Sequence, residues 1–343
     1  MAASSTTLST LNSDIIQTHI LTRLDGPSLA AMSCTSTQFL ALSADGKLWQ
    51  EICSTLWSST NDSRVRQVIS TFPGGHRSFF SDSFPLLHHK NHNQDLSSEP
   101  SDLISAVDLC YKNKLLFSKV RETNTTTTKF LCSRFKIELL GQKETVSTPI
   151  QQFGEIDALL QDLKENLSLS WIVIDPAAKR AANLSSGRPV LVEWPCTGGE
   201  VQLYYSTVMK TGGRPGSVES EFAECRVVVT CSGIDGGEVH VDDITMEIKD
   251  IDGRSFDGRE SLVILQDSLV NGKRERGKRG ENEDKYKKLE KRKREGKVKK
   301  LSSNGVIYMI CLPVVGLVTF WFTLFLFAML LMRSKTRSKL RKH

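Results

Sequence analysis

The apolar positions of residues 11–56 recur at helical spacing. In "LNSDIIQTHILTRL" (11–24), Ile15, Ile16, Ile20 and Leu24 fall on one stripe, the spacing of a helix with one buried face. Asn12 or Ser13 can cap its first turn, and Asp14 suits the positive end of the helix dipole. "DGPS" then stops one helix and starts the next, with Pro27 at a first helical position. Leu29 and Met32 continue the pattern, followed by Phe39, Leu40 and Leu42. After a turn at Asp45–Gly46, a further helix carries Leu48, Trp49 and Ile52. Three or four short amphipathic helices in so few residues make a thin core. Such a unit either keeps an apolar face for a partner or caps the next domain.

Helical spacing continues at Val65, Val68, Ile69 and Phe72 and ends at Pro73–Gly74–Gly75. Phe79, Phe80 and Phe84 are expected to pack this extension. A polar linker follows, whose His88, His89 and His92 lack companion ligands and read as a solvated loop. From Asp102 the period changes to two. "DLISAVDLCYKNKLLFSKV" predicts a hairpin turning at Lys112–Lys114, and "KFLCSRFKIELL" a third strand. "EIDALLQDLKENL" (155–167) is the one clear helix. "LSLSWIVID", "RPVLVEW", "EVQLYYSTVM", "AECRVVVTCS", "GEVHVDDITMEIKD" and "ESLVILQD" predict further strands. Many short strands and one helix point to an antiparallel β-sandwich rather than a parallel α/β sheet.

Val306–Met332 contains 27 residues without a charge. About 20 apolar residues span a bilayer core, so this stretch is expected to be a transmembrane helix. The fold class is therefore α+β: a small helical unit, a sandwich-like domain with one helix, a basic linker and a single C-terminal transmembrane helix. The boundaries expected are 1–10 for a disordered N-terminus, 11–56 for the helical unit, 57–101 for its extension and the polar linker, and 102–267 for the β-rich domain. The basic linker, disordered or partly helical, covers 268–305, and a basic tail covers 333–343.

Charge sharpens this division. Residues 273–300 hold 15 Lys and Arg against 6 Asp and Glu, and 333–343 hold 6 basic residues and no acid. With a total of +6, the preceding 272 residues carry a net −9. A net basic charge is thus absent from the folded part, where nucleic-acid binding would need it, and no nucleic-acid partner is expected. The excess of Lys and Arg before the apolar run favours a cytosolic body with lipid contact through Val306–Met332. "MAASSTTLST" has no secretory pattern. The expected localisation is a single-pass tail anchor, in the endoplasmic reticulum first, or the nucleus if the anchor is absent.

"LNSDIIQTHILTRLDGPSLAAMSCTSTQFLALSADGKLWQEI" resembles an F-box. Leu11, Ile15, Ile16, Ile20, Leu21, Leu24, Leu29, Cys34, Phe39, Leu48 and Trp49 stand in the motif's apolar roles in order and spacing. Asn12 stands where the family has Pro, and Thr35 where it has a basic residue. "HRSFFSDSFP", "KRAANLSSGRP" and "GRESLVIL" resemble the plant F-box proteins with an uncharacterised β-rich second half. The resemblance implies a substrate-recognition adaptor of a Skp–cullin–F-box ubiquitin ligase and no catalysis by this chain. It implies docking of a Skp-type adaptor, and through it a cullin, on Leu11, Ile15, Ile16, Ile20, Leu21, Leu24, Leu29, Phe39 and Trp49. The β-rich domain would hold a protein client. The alternative is a membrane-anchored scaffold with a degenerate F-box, outside any ligase.

No internal repeat, phosphate-binding loop, zinc spacing or nucleophile elbow stands in the chain. Neither a cofactor nor a metal is expected. "TGGRPGS" (211–217) reads as a hairpin tip, and His240 with Asp242 as the exposed face of a strand. Trp171, Trp194, Tyr204 and Tyr205 are candidates for a ligand groove, with core packing expected for Trp171.

Overall fold

A computed structural model describes residues 12–88, 102–151, 155–194, 199–211, 222–233, 237–250, 252–275, 283–295 and 321–322. The first helix starts on Asn12, whose side chain accepts the Asp14 backbone N–H at 3.0 Å. It runs as a short α-turn, α1 (Ser13–Ile15), widens to a π-turn over Ile16–Ile20 and tightens to 3-10 over Leu21–Arg23. The next four α-helices each have their own side-chain cap. Asp25 caps α2 (Gly26–Ser33), Ser36 caps α3 (Thr37–Leu42), Asp45 caps α4 (Gly46–Leu56) and Asp62 caps α5 (Ser63–Ser70). These caps satisfy backbone donors that a helix start leaves unpaired. The helix α6 (Gly75–Ser83) closes the layer. Gly26 is required there, because a Cβ would lie 2.1 Å from the Phe80 ring.

Among the described residues the β-region holds three antiparallel sheets. Strand β1 (Leu86–His88) pairs with β12 (Lys273–Glu275). The strands β2 (Leu103–Tyr111), β3 (Lys114–Thr123), β6 (Leu167–Asp175) and β7 (Arg180–Asn183) form a sheet in the order β3-β2-β6-β7. The third sheet runs β4-β11-β10-β9-β8, with β5 also pairing β11. Its strands are β4 (Lys136–Glu138), β5 (Val146–Gln151), β8 (Leu191–Glu193), β9 (Val201–Lys210), β10 (Phe222–Ser232) and β11 (Glu238–Asp250). The β2–β3 hairpin turns at Lys112 and Asn113, with φ of 48° and 61°, the left-handed pair that a tight hairpin needs.

The four-stranded sheet is the middle of three layers. Val107, Leu109, Trp171 and Val173 share a core with Leu203, Tyr205, Val227 and Ile244 of the six-stranded sheet. Ile104, Ala106, Ile172, Ile174 and Ala181 point the other way and share a core with Trp49, Trp57, Ile69 and Phe79 of the helices. Consequently all of residues 103–109 are buried. A strand covered on both faces needs apolar side chains at consecutive positions rather than alternate ones, and "LISAVDL" supplies them with two polar exceptions. Residues up to Leu289 form one compact unit.

Four expectations are corrected. "ESLVILQD" lies in a helix, α9 (Gly258–Asn271), not a strand. A capping box sets it: Asp257 accepts the Glu260 N–H at 2.8 Å while Glu260 accepts the Asp257 N–H at 3.1 Å. The third predicted strand is a short helix, α7 (Thr128–Cys132), followed by β4. The β-region therefore carries α7 and α9 besides the expected α8 (Ile156–Asn166).

The last correction concerns the membrane. No helix among the described residues is long and apolar enough to cross a bilayer. Even α9, with 14 residues, rises only about 21 Å against a hydrocarbon core of about 30 Å. Of Val306–Met332 only Trp321 and Phe322 belong to the described residues, and the rest lies outside them. The transmembrane helix, the tail-anchored localisation and the lipid contact built on that stretch are withdrawn. Residues 283–295 of the basic segment are helical.

Candidate partner-docking surface

The two i, i+4 rows on α4 have different fates. Trp49 and Cys53 point inward, and the Trp49 indole N–H donates to the Ser43 carbonyl at 2.7 Å. Leu48, Ile52 and Leu56 run from buried to half-buried to 44% exposed. This second row, the 21–27 segment and Phe84 wall a groove of about 460 Å³. Leu21, Leu24 and Pro27 supply its other apolar wall, and Arg23, Asp25 and Glu51 its polar rim.

The nine residues proposed for adaptor docking separate by burial. Ile16, Leu21, Leu29, Phe39 and Trp49 are at most 8% exposed and build the core of the layer. Ile20 and Leu24 are half-buried, and Ile15 is 46% exposed. Leu11 lies outside the described residues. Buried members shape the surface from beneath, whereas Ile15, Ile20 and Leu24 can touch a partner directly. Leu40, 45% exposed, and Leu56 were not among the nine. Leu56 was readable, because Leu48, Ile52 and Leu56 form a second apolar row beside the Trp49–Cys53 row. Leu40 follows the inward Phe39 directly, and only the packing shows which of the two faces out.

The layer's chemistry is that of contact. Burial pushes the Cys53 thiol up to about 12, so it stays protonated. Among the described residues no group of three or more His, Cys, Asp or Glu side chains could hold a metal ion.

On the β-region, the aromatic candidates also divide. Trp171 and Tyr205 are core residues with no exposure. Tyr204, on the opposite side of β9, lies under the Arg226 guanidinium at 5.5 Å and donates to Gln202 at 2.5 Å. Arg226 pairs with Glu224 at 2.9 Å, and Ser206 donates to Glu224 at 2.9 Å. Trp194 is half-buried beside the core. His240 is half-buried on β11. The three-histidine stretch beyond His88 and residues 212–217 lie outside the described residues.

Three plant proteins match this chain through most of their length. The Arabidopsis thaliana protein named F-box protein At2g27310 is 41% identical over 321 residues, covering 88% of this chain and 92% of its own. F-box protein At3g44326 from the same plant is 40% identical, covering 82% and 79%. Probable F-box protein At2g36090, also from Arabidopsis thaliana, is 40% identical, covering 91% of each. No family model matches the chain, and no solved structure matches it.

Proposed function

This chain belongs to the plant F-box protein family, and from that premise we propose that it is the substrate-recognition adaptor of a Skp–cullin–F-box ubiquitin ligase. The helical layer docks a Skp-type adaptor, the cullin joins through that adaptor, and the β-region receives a protein client. The chain itself performs no chemistry in this reading. One observation carries it: the helical layer leaves Ile15, Leu40 and Leu56 between 44% and 46% exposed, and Leu56 lines an apolar groove with Leu21, Leu24 and Phe84. Apolar side chains left exposed on a small layer, over a core already complete without them, are what a docking face consists of.

Asn12 accounts for one departure from the motif. It takes the helix cap, a hydrogen bond that a proline could not accept through its side chain. The first turn is therefore held by this chain's own residues before any adaptor arrives.

A pull-down with a recombinant Skp-type adaptor tests the proposal. The full chain should bind. The exposed substitutions Ile15→Asp and Leu56→Asp together should abolish binding while leaving the thermal midpoint within a few degrees. An intact, folded chain that retains no adaptor would remove the ligase reading.

A further inference from the structure

Two carboxylates lie where the helical layer meets the four-stranded sheet. Asp108, on β2, is 2% exposed. It accepts the Ser59 backbone N–H at 2.8 Å, the Ser59 hydroxyl at 2.5 Å and the Ser118 hydroxyl at 2.7 Å. Ser59 belongs to the 3-10 turn Ser58–Asn61 that follows α4. Ser118 belongs to β3, beside Asp108 in the sheet. Asp82, 8% exposed near the end of α6, accepts the Ala181 backbone N–H at 3.1 Å. The Arg180 and Arg274 guanidinium groups lie 3.1 and 3.8 Å from its oxygens. Arg274 also donates to the Ala181 carbonyl at 3.0 Å and the Leu269 carbonyl at 2.6 Å, so this cluster joins α6, β7 and α9.

The sheet surface around these clusters is apolar: Ile104, Ala106, Ile172, Ile174 and Ala181. Apolar contact rewards buried area and discriminates weakly between neighbouring registers. A buried carboxylate discriminates strongly, because a small slide leaves it and its donors desolvated and unpaired. The positions of the two matter as much as their burial. Asp108 stands opposite Ser170 of β6, whereas Ala181 stands opposite Ile174 of the same strand. Four residues along the strands and two strands across place the clusters about 16 Å apart. One pinned point permits rotation of a layer; two pinned points remove rotation and translation together.

We propose that Asp108 and Asp82 form a two-point register lock that holds the helical layer at one orientation on the β-region. The groove at Leu24 and Leu56 and the outer face at Tyr204 and Arg226 then move as one body. This geometry is independent of which partner occupies either surface, so it stands or falls separately from the ligase reading.

Two native thiols report it. Cys34 on the helical layer and Cys132 on the β-region are exposed, while Cys53, Cys225 and Cys231 are buried. The full chain, with Cys110, Cys196 and Cys311 replaced by Ser, is spin-labelled at Cys34 and Cys132, and the inter-label distance distribution is measured by pulsed electron resonance. The parent should give one narrow distance. Asp108→Leu, which fills the site without hydrogen bonds, should broaden or shift the distribution. Asp108→Asn, which can still bond the Ser59 N–H and both hydroxyls, should stay narrow. If Asp108→Leu does not fold, Ser59→Ala with Ser118→Ala removes both hydroxyl donors without adding volume and should broaden the distribution instead. A folded Asp108→Leu or double-Ala chain with the parent's distribution overturns the lock, as does an Asp108→Asn chain as broad as the Leu variant.

Discussion

Toward the six-stranded sheet, the strands β2 and β6 present Val107, Leu109, Leu169, Trp171 and Val173. Toward the helices the same strands present Ile104, Ala106, Ile172 and Ile174, and among them Asp108. The first face is closed by large interlocking side chains, with Trp171 and Tyr205 both fully buried. The second carries smaller residues and places a charged group where the other has a leucine. Interdigitated bulk specifies its own register through shape. A flatter patch of Ile and Ala does not, and polar groups with a single satisfying geometry supply the missing specification.

The largest effect separates the faces by volume. Trp171→Ala should cost about 3–5 kcal/mol, the range for emptying an aromatic site in a packed core, read from urea unfolding of the full chain. Asp108→Ala should cost less, about 2–3 kcal/mol, because it leaves the Ser59 N–H without its acceptor. A larger loss at Asp108 than at Trp171 would reverse the contrast between the faces.

Asp108 also carries a pH signature. Burial raises its carboxyl pKa from the ordinary 3.8, against the opposing hydrogen bonds of Ser59 and Ser118. A raised folded-state value means that its contribution is fully present below pH 3.8 and is lost as pH rises through the folded pKa. Asp108→Asn cannot ionise. Its stability relative to the parent should therefore improve as pH rises from about 3.8 toward neutrality, measured as the difference in urea midpoints. A constant difference across that window would show that Asp108 titrates alike in folded and unfolded chains.

Two smaller effects sharpen the comparison at the molecule's surface. Ile15→Asp alone should weaken adaptor binding at least tenfold, about 1.4 kcal/mol, in a titration by isothermal calorimetry, with little change in thermal midpoint. Arg64 and Glu122 also join the helical layer to the β-region, but at 3.1 Å between side chains 44% and 49% exposed. Arg64→Ala should cost no more than about 0.5 kcal/mol, since solvent screens such pairs. Equal costs at Arg64 and Asp108 would mean that burial adds nothing to the polar contacts between layers.

Most helices of the first layer were legible because each carries its own start signal: Asn12, Asp25, Ser36, Asp45 and Asp62 all act as caps. The β2–β3 hairpin was legible from alternation broken at Lys112 and Asn113. The segment "SLVIL" in α9 was misread because five consecutive apolar or small residues suit a buried strand and a buried helix alike. Its deciding feature, Asp257 three residues before Glu260, lay outside the run. The docking residues were legible as a set but not as a surface. Helical spacing brings Ile15 and Ile16 into one stripe, yet one is 46% exposed and the other fully buried.

By itself the sequence determined the local units: capped helices, the turn at Lys112–Asn113, most of the strands and the apolar motif of residues 11–49. These depend on near neighbours, through capping hydrogen bonds, backbone preference and periodicity. Tertiary structure alone decided that the helices form a third layer on the back of the β3-β2-β6-β7 sheet. It also decided which apolar residues remain outside, and that Asp108 meets Ser59 across 49 residues of chain. Those outcomes depend on which surfaces remove water from one another, and that is a property of the assembled layers rather than of any segment within them.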